Sequence, residues 1–275
     1  MITQVTRENE AEYFRRLGQA PFFASVMHTV YASCEGRGVQ CFLAGELAAL
    51  QVCGQRALLC GEPEDEAELA SFLSFLGVAR LKTQGCCPQG FAPHALPLLR
   101  FDVRRAPPVP PVPDGLRLEN EPSLLAVRCI KGLSDGAVPP DSFAVDAAAR
   151  RNRGLADIRA LSADGTLAAT AGVYALQPWE AYIGAVETAP AFRRRGCAGY
   201  LVSLLAHTYA QRPVRLICAE GMVPFYAKLG FARDGLLCDC VRTATRKGKP
   251  AQGPGHVGFL ENTNSIYRKE YYIKW

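Results

Sequence analysis

The stretch from Glu187 to Tyr200, ETAPAFRRRGCAGY, holds the residue types of this chain that are best suited to chemistry. Three consecutive arginines precede Gly196, and an apolar run with helical spacing follows it. Amide N–H groups at the start of a helix point outward, and the helix dipole favours anionic oxygen there. Glycine permits close approach to the backbone, and arginine adds positive charge. The pattern predicts a loop that binds pyrophosphate.

Tyr226 lies in a second motif, PFYAKLGF, which spans residues 224–231. The pattern predicts a short helix that ends at Gly230 and is followed by a strand. A tyrosine hydroxyl on such a helix can hold a proton for transfer, whereas packing of its ring beside Phe225 would give it only a structural role. Both roles stay open from the sequence.

Three residues near the predicted loop could accept a proton, namely Tyr182, Glu187 and Glu220. Strand alternation predicts that Glu187 faces the side opposite to Tyr182, so the two would not face one substrate together. A chain of water molecules could serve instead. We expect each of the three residues to be solvated or structural.

Cys197 and His207 are not expected to be catalytic. A helix start could lower the pKa of the Cys197 thiol, but no histidine lies beside it in the sequence. We therefore interpret Cys197 as a small loop residue and His207 as a residue on the surface of a helix.

Two motifs, in this order, resemble those of the GCN5-related N-acetyltransferase (GNAT) superfamily. The first is Thr188-x-Pro190-x-x-Arg193-x-x-Gly196-x-Ala198, and the second is PFYAKLGF at 224–231. The resemblance covers residues 116–243 and implies a mixed sheet whose fourth and fifth strands part to admit the pantetheine arm of the cofactor. Many members carry an asparagine shortly before the tyrosine helix, and this chain has CAEGMV there instead.

The resemblance implies acetyl-CoA as co-substrate, and no metal-binding residue is predicted. It implies that Tyr226 is catalytic and donates a proton to the departing thiolate. The strand that ends at Thr188 would hold the pantetheine amide and the loop would hold the pyrophosphate. The cofactor-binding residues implied in this way are Val186, Thr188, Arg193, Arg194, Arg195, Gly196, Cys197 and Ala198.

The function implied by the resemblance is an N-acetyltransferase. It would transfer an acetyl group from acetyl-CoA to a primary amine of a small molecule or protein, by direct attack in a ternary complex. The alternative is a non-catalytic acyl-CoA-binding regulatory module on the same fold. A third interpretation is an adaptor that uses its basic C-terminal residues to associate with nucleic acid.

The proline-rich stretch APPVPPVPDG, residues 106–115, divides the chain, because five prolines in seven residues predict an extended spacer. We predict an α/β fold of mixed-sheet type, with an N-terminal α/β lobe at 1–105 and a GNAT domain at 115–243. The N-terminal lobe is either a structural or substrate-shaping lobe or a degenerate GNAT-like copy that lacks the loop. The linker is 106–114 and a basic C-terminal extension is 244–275. The C-terminal lobe, from Asp114 onward, is expected to fold and bind cofactor alone. A hairpin is predicted at Asp164-Gly165.

Composition limits the class of protein. The formal charge is +5, with the basic excess concentrated near the C-terminus, and we do not expect binding to nucleic acid. No apolar run has the length of a membrane helix, and no secretion signal is visible, so we expect a soluble cytoplasmic protein. The eleven cysteines are mostly single, and the close pairs Cys86-Cys87 and Cys238-x-Cys240 are not CxxC motifs, so no structural zinc site is predicted. A homodimer is left open.

Overall fold

The computed structural model describes residues 1–18, 21–34, 38–85, 87–135 and 141–243. The predicted basic extension at 244–275 lies outside the described residues, and so does Cys86 of the Cys86-Cys87 pair. No helix in the described ranges combines the length and apolar character needed to cross a membrane.

The fold is a mixed α/β sheet, as the sequence predicts, and helices cover both of its faces. The strands are β1 (Ile2–Gln4), β2 (Gln40–Ala44), β3 (Ala48–Cys53), β4 (Arg56–Cys60), β5 (Arg80–Thr83), β6 (Phe91–Phe101), β7 (Arg117–Glu119), β8 (Asp157–Ala163), β9 (Thr166–Gln177), β10 (Glu180–Thr188), β11 (Val214–Ile217) and β12 (Phe231–Arg242). The helices are α1 (Glu10–Leu17), α2 (Pro21–Cys34), α3 (Glu66–Phe75), α4 (Leu124–Asp135), α5 (Asp141–Asn152), α6 (Cys197–Thr208) and α7 (Val223–Ala227).

The strands form one continuous sheet in the order β1-β2-β3-β4-β5-β12-β6-β11-β10-β9-β8-β7. The last strand of the chain, β12, is thus inserted between β5 and β6, and β6 pairs on its other side with β11. Each half of the chain therefore contributes a strand to the other half. The expectation that the segment from Asp114 onward folds alone does not fit this topology, because that segment lacks β6.

Alternating side chains of the strands form cores on both faces of the sheet. Leu98 and Leu58 pack with α1 and α2 on one face, whereas the next residue in each case, Leu99 or Leu59, packs on the opposite face. There, α6 covers the core around Leu99 and α3 covers the core around Leu59. Successive side chains of a strand point to opposite faces of the sheet. Because helices cover both faces, neighbouring residues of these strands are both apolar.

The predicted linker has no regular helix or strand between 106 and 113, and most of it is exposed. It nevertheless touches the C-terminal half: Ala106 lies against Gly230, where any larger residue would collide with it. Gly230 also has a φ of 90°, which favours glycine at the turn after α7. The predicted hairpin is confirmed, since Asp164 and Gly165 join β8 and β9 with φ values of 49° and 76°.

Candidate acyl-CoA site

A cleft opens where two parallel strands part. β10 and β11 pair from Ala181 to Ile183, opposite Val214 to Leu216, and β10 then continues to Thr188 along β9. A cavity of about 680 Å³ lies between the diverging strands, within the range of small-molecule sites. Its walls come from β10, β11, the start of α6, α7 and Leu96 of β6. The divergence is the arrangement that the resemblance implies.

The loop at one end of the cleft has the backbone geometry of an anion site. Gly196 is the N-cap of α6 and has a φ of 80°, in the left-handed region, and Arg194 has a φ of 65°. No side chain caps the helix, so the N–H groups of its first turn are left for another acceptor. A Cβ atom on Gly196 would meet no atom within 4 Å, which shows that this side of the loop faces open space.

The three arginines of the loop take different positions. Arg193 and Arg194 line the cleft, and Nε of Arg193 donates a hydrogen bond to the carbonyl oxygen of Thr188 at 3.3 Å. Arg195 is not among the lining residues: it donates to the carbonyl oxygen of Asp114 at 3.0 Å and lies over the ring of Phe192. Arg195 thus contacts the linker and lies outside the residues that line the cleft, and its part in cofactor binding stays a prediction.

The other residues predicted to bind the cofactor all line the cleft, namely Val186, Thr188, Gly196, Cys197 and Ala198. Cys197 is buried, and burial raises the pKa of its thiol although the positive charge of Arg195 lowers it. The expectation that the helix start could lower this pKa is thus wrong, because desolvation is the larger effect. Cys197 remains a protonated residue of small volume in the loop.

A bulge in β10 changes which side Glu187 faces. The register with β9 shifts between Gly184 and Glu187, and Ala185 has a φ of 50°. Val186 therefore packs against the same core as Ile183, three residues earlier, which strict alternation would forbid. Glu187 in turn faces the side of Tyr182, so the expectation that the two face opposite sides is wrong. Glu187 is buried and lines the cleft, so it is not a solvated residue.

Tyr182 has a buried hydroxyl in the cleft. Its oxygen lies 3.6 Å from the position that a Cβ atom would take on Gly184, so the glycine leaves room for the ring to lie along the strand. The hydroxyl makes no hydrogen bond with any described residue. Burial, and to a smaller extent Tyr226, raises the pKa of Tyr182. The group is therefore neutral and suited to donating a hydrogen bond, not to accepting a proton.

Tyr226 lies on α7 and lines the cleft close to Tyr182. Its ring is buried and packs edge-on against Phe225 at 5.0 Å and Phe231 at 6.0 Å between centroids. The ring of Tyr226 thus belongs to the core and also borders the cleft, so its catalytic role stays a prediction.

Two remaining candidates lie elsewhere. Glu220 is exposed and forms an ion pair with Arg233. His207 lies on α6, where its Nδ1 is 2.9 Å from the carbonyl oxygen of Ser203 and its ring packs against Phe101. Neither lines the cleft. Leu96 does so without having been predicted, since its contribution depends on the exchange of β6 between the halves.

Comparison with known proteins agrees with this geometry. Residues 134–231 match the model of the acetyltransferase (GNAT) family. The tandem GNAT protein from the clavulanic acid biosynthesis pathway is 14% identical, with a TM-score of 0.59 over 89% of this chain and 99% of that one. A GCN5-related N-acetyltransferase from Sphaerobacter thermophilus is 15% identical, with a TM-score of 0.59 over 87% of this chain and 94% of that one.

A third similar structure is a GCN5-related N-acetyltransferase from Kribbella flavida, which is 16% identical with a TM-score of 0.54 over 80% of this chain and 96% of that one. A comparison with curated proteins found no match. The likeness to a tandem protein also supports a two-lobe arrangement. Residues 134–231 therefore match the GNAT acetyltransferase family, and the chain has the GNAT fold, which supports acyl transfer.

Proposed function

We propose that this protein is an N-acetyltransferase that transfers an acetyl group from acetyl-CoA to a primary amine in a ternary complex. The observation that carries the proposal is one continuous cleft, which runs from the uncapped start of α6 between the parted strands to Tyr226. The cationic loop at one end of the cleft suits the pyrophosphate of the cofactor. The tyrosine hydroxyls at the other end suit the reacting thioester.

The cofactor supplies an activated acyl group as a thioester. The first-turn N–H groups of α6, together with Arg193 and Arg194, would hold its pyrophosphate, since dipole and charge act in the same direction. Val186 and Thr188 lie on the part of β10 that extends beyond its pairing with β11, so backbone groups there would bind the pantetheine amides.

Three side chains divide the proton chemistry. Glu187 would accept a proton from the amine, because it is buried in the cleft and faces the side of Tyr182. Tyr226 would hold a proton at its hydroxyl for the departing sulfur. Tyr182 would donate a hydrogen bond to an oxygen in the cleft, which would satisfy a buried hydroxyl that has no partner among the described residues.

The N-terminal half would shape the acceptor side of the cleft. Leu96 of β6 lines the cleft directly, and Phe22 of α2 packs edge-on against Tyr182 with 5.4 Å between ring centroids. The proposed lobes are residues 1–105 and 115–243, and residues 106–114 form the linker between them. Strand β6 of the first lobe completes the sheet of the second. The acceptor is an amine of a small molecule or a peptide.

Release of free thiol from acetyl-CoA tests the proposal. The full-length protein should release thiol only when an amine is added, and the acetylated amine should appear in equal amount. A protein that binds CoA by calorimetry but releases no thiol with any member of a broad amine library would be a binding module instead. Absence of CoA binding would overturn the site itself.

A further inference from the structure

Three cysteines meet on the face of the sheet that α3 covers, in the N-terminal half. Cys238 and Cys240 lie two residues apart on β12 and so share a face, and Cys87 comes from the connection between β5 and β6. Their sulfur atoms all lie within 4.8 Å of one another, and those of Cys238 and Cys240 are 3.4 Å apart. The sequence predicted no such set, because the exchanged strand β12 brings together residues about 150 positions apart.

The spacing of the sulfurs suits a tetrahedral thiophilic cation. With metal–sulfur bonds of about 2.3 Å, two thiolates on one zinc ion lie roughly 3.8 Å apart. Shifts of about 1 Å or less would bring the three sulfurs to that distance. The 3.4 Å separation of Cys238 and Cys240 is far longer than a disulfide bond, and all three cysteines are free.

A positively charged side chain lies on the same face of the sheet as the cysteines. Three thiolates around a divalent cation leave one net negative charge, which needs a positive partner in a partly buried place. Arg242 follows Cys240 by two residues on β12 and so lies on the same face. It stacks over the ring of Phe91, and its Nη2 is buried without a hydrogen-bond partner among the described residues.

We propose that Cys87, Cys238 and Cys240 bind one Zn²⁺ ion through three thiolates, with water in the fourth position. The ion fastens the connection between β5 and β6 onto β12. Since β12 is the strand that the C-terminal half contributes to the N-terminal half, the site holds the shared sheet together. The site is separate from the cleft, so it can be tested by measuring bound metal without an activity assay.

The test is zinc content of the full-length protein, incubated with Zn²⁺ under reducing conditions and then dialysed. We expect about one zinc per chain in the wild type, and less than about a tenth of that in Cys87→Ser and in Cys240→Ser. Cys53→Ser is the matched control, because Cys53 is also half-buried on a strand but lies outside the cluster, and it should keep its zinc. Cobalt should give a thiolate charge-transfer band that weakens in Cys238→Ser and persists in Cys53→Ser.

Cys87 lies in a connection and is half-buried, so we expect Cys87→Ser to keep the fold, and circular dichroism verifies this. If Cys240→Ser unfolds, the zinc content of Cys87→Ser alone tests the site. Zinc-free wild-type protein after incubation would overturn the proposal. So would equal zinc in Cys87→Ser and wild type, which would locate the ion elsewhere. A disulfide between two of these three cysteines, mapped by peptide mass in the unreduced protein, together with no zinc uptake after reduction, would show that the cysteines pair with one another instead.

Discussion

Both halves of the chain contain a strand, a helix and a second strand parallel to the first. The two parallel strands part to form a cleft only in the C-terminal half. In the N-terminal half, β4 and β5 pair over Arg56 to Leu59, nearly the whole of β4. In the C-terminal half, β10 and β11 pair over three residues and then part at a bulge. The comparison shows that an interruption of strand pairing creates the cavity.

The N-termini of α3 and α6 also differ, since one is capped and the other is not. The side chain of Asp65 caps α3 and accepts hydrogen bonds from the N–H groups of Ala67 and Glu68 at 2.8 and 2.9 Å. That carboxylate occupies the place a phosphate would take, and two glutamates in the first turn add negative charge. At α6, Gly196 leaves the corresponding groups uncapped beside arginines. The N-terminal half therefore has neither the parted strands nor the uncapped helix start that the C-terminal half offers to CoA.

The largest expected effect comes from separating the halves. A chain that begins at Asp114 lacks β6, which pairs with β11 through Leu98, Leu99 and Arg100, so it should be insoluble or fail to bind CoA. A chain that begins at Pro88 retains β6 and should recover binding, at least in part. Calorimetry with CoA on both truncations checks this. Full affinity in the shorter chain would show that the halves fold independently after all.

Next in size is the effect of Tyr226→Phe, which keeps the ring and its contacts with Phe225 and Phe231 but removes the hydroxyl. If the hydroxyl protonates the departing sulfur, kcat should fall by about 10² to 10⁴ while the Kd for CoA stays level. Tyr226→Ala should in addition lower Tm, because it leaves a cavity in the core. A Phe variant with wild-type kcat would reduce Tyr226 to a packing residue.

A smaller effect is expected at the closed helix start. Asp65→Ala removes the cap of α3 and should lower the free energy of unfolding by about 1 kcal/mol. It should not create a second CoA site, because β4 and β5 remain paired and the acidic first turn remains. Thermal unfolding and CoA titration of the variant measure both parts. A second bound CoA would mean that the Asp65 cap alone keeps CoA from the start of α3.

The sequence was most informative where local chemistry decides the structure. The loop at Gly196, the hairpin at Asp164-Gly165 and the helix that carries Tyr226 each depend on residues within one short segment. Turn and cap preferences act over a few residues, so they can be read without knowledge of the rest of the fold.

Long-range features could not be predicted in this way. The exchange of β6 and β12 depends on which strands pair across the chain, and no local pattern records that choice. The side that Glu187 faces depends on one extra residue in a bulge, and a shift of one position reverses every later side chain. The loss of Arg195 from the cleft follows from its contact with Asp114, far away in sequence.

The stoichiometry of CoA binding tests the central claim most directly, with Gly196→Glu compared against Gly77→Glu. Both glycines have positive φ, 80° and 67°, and open space around the Cβ position, so the backbone strain of substitution is matched. We predict one CoA per wild-type chain, binding at least about tenfold weaker in Gly196→Glu, where the carboxylate opposes phosphate, and unchanged in Gly77→Glu. Two CoA molecules per chain, or equal affinity in both variants, would contradict the assignment of the site to the α6 loop.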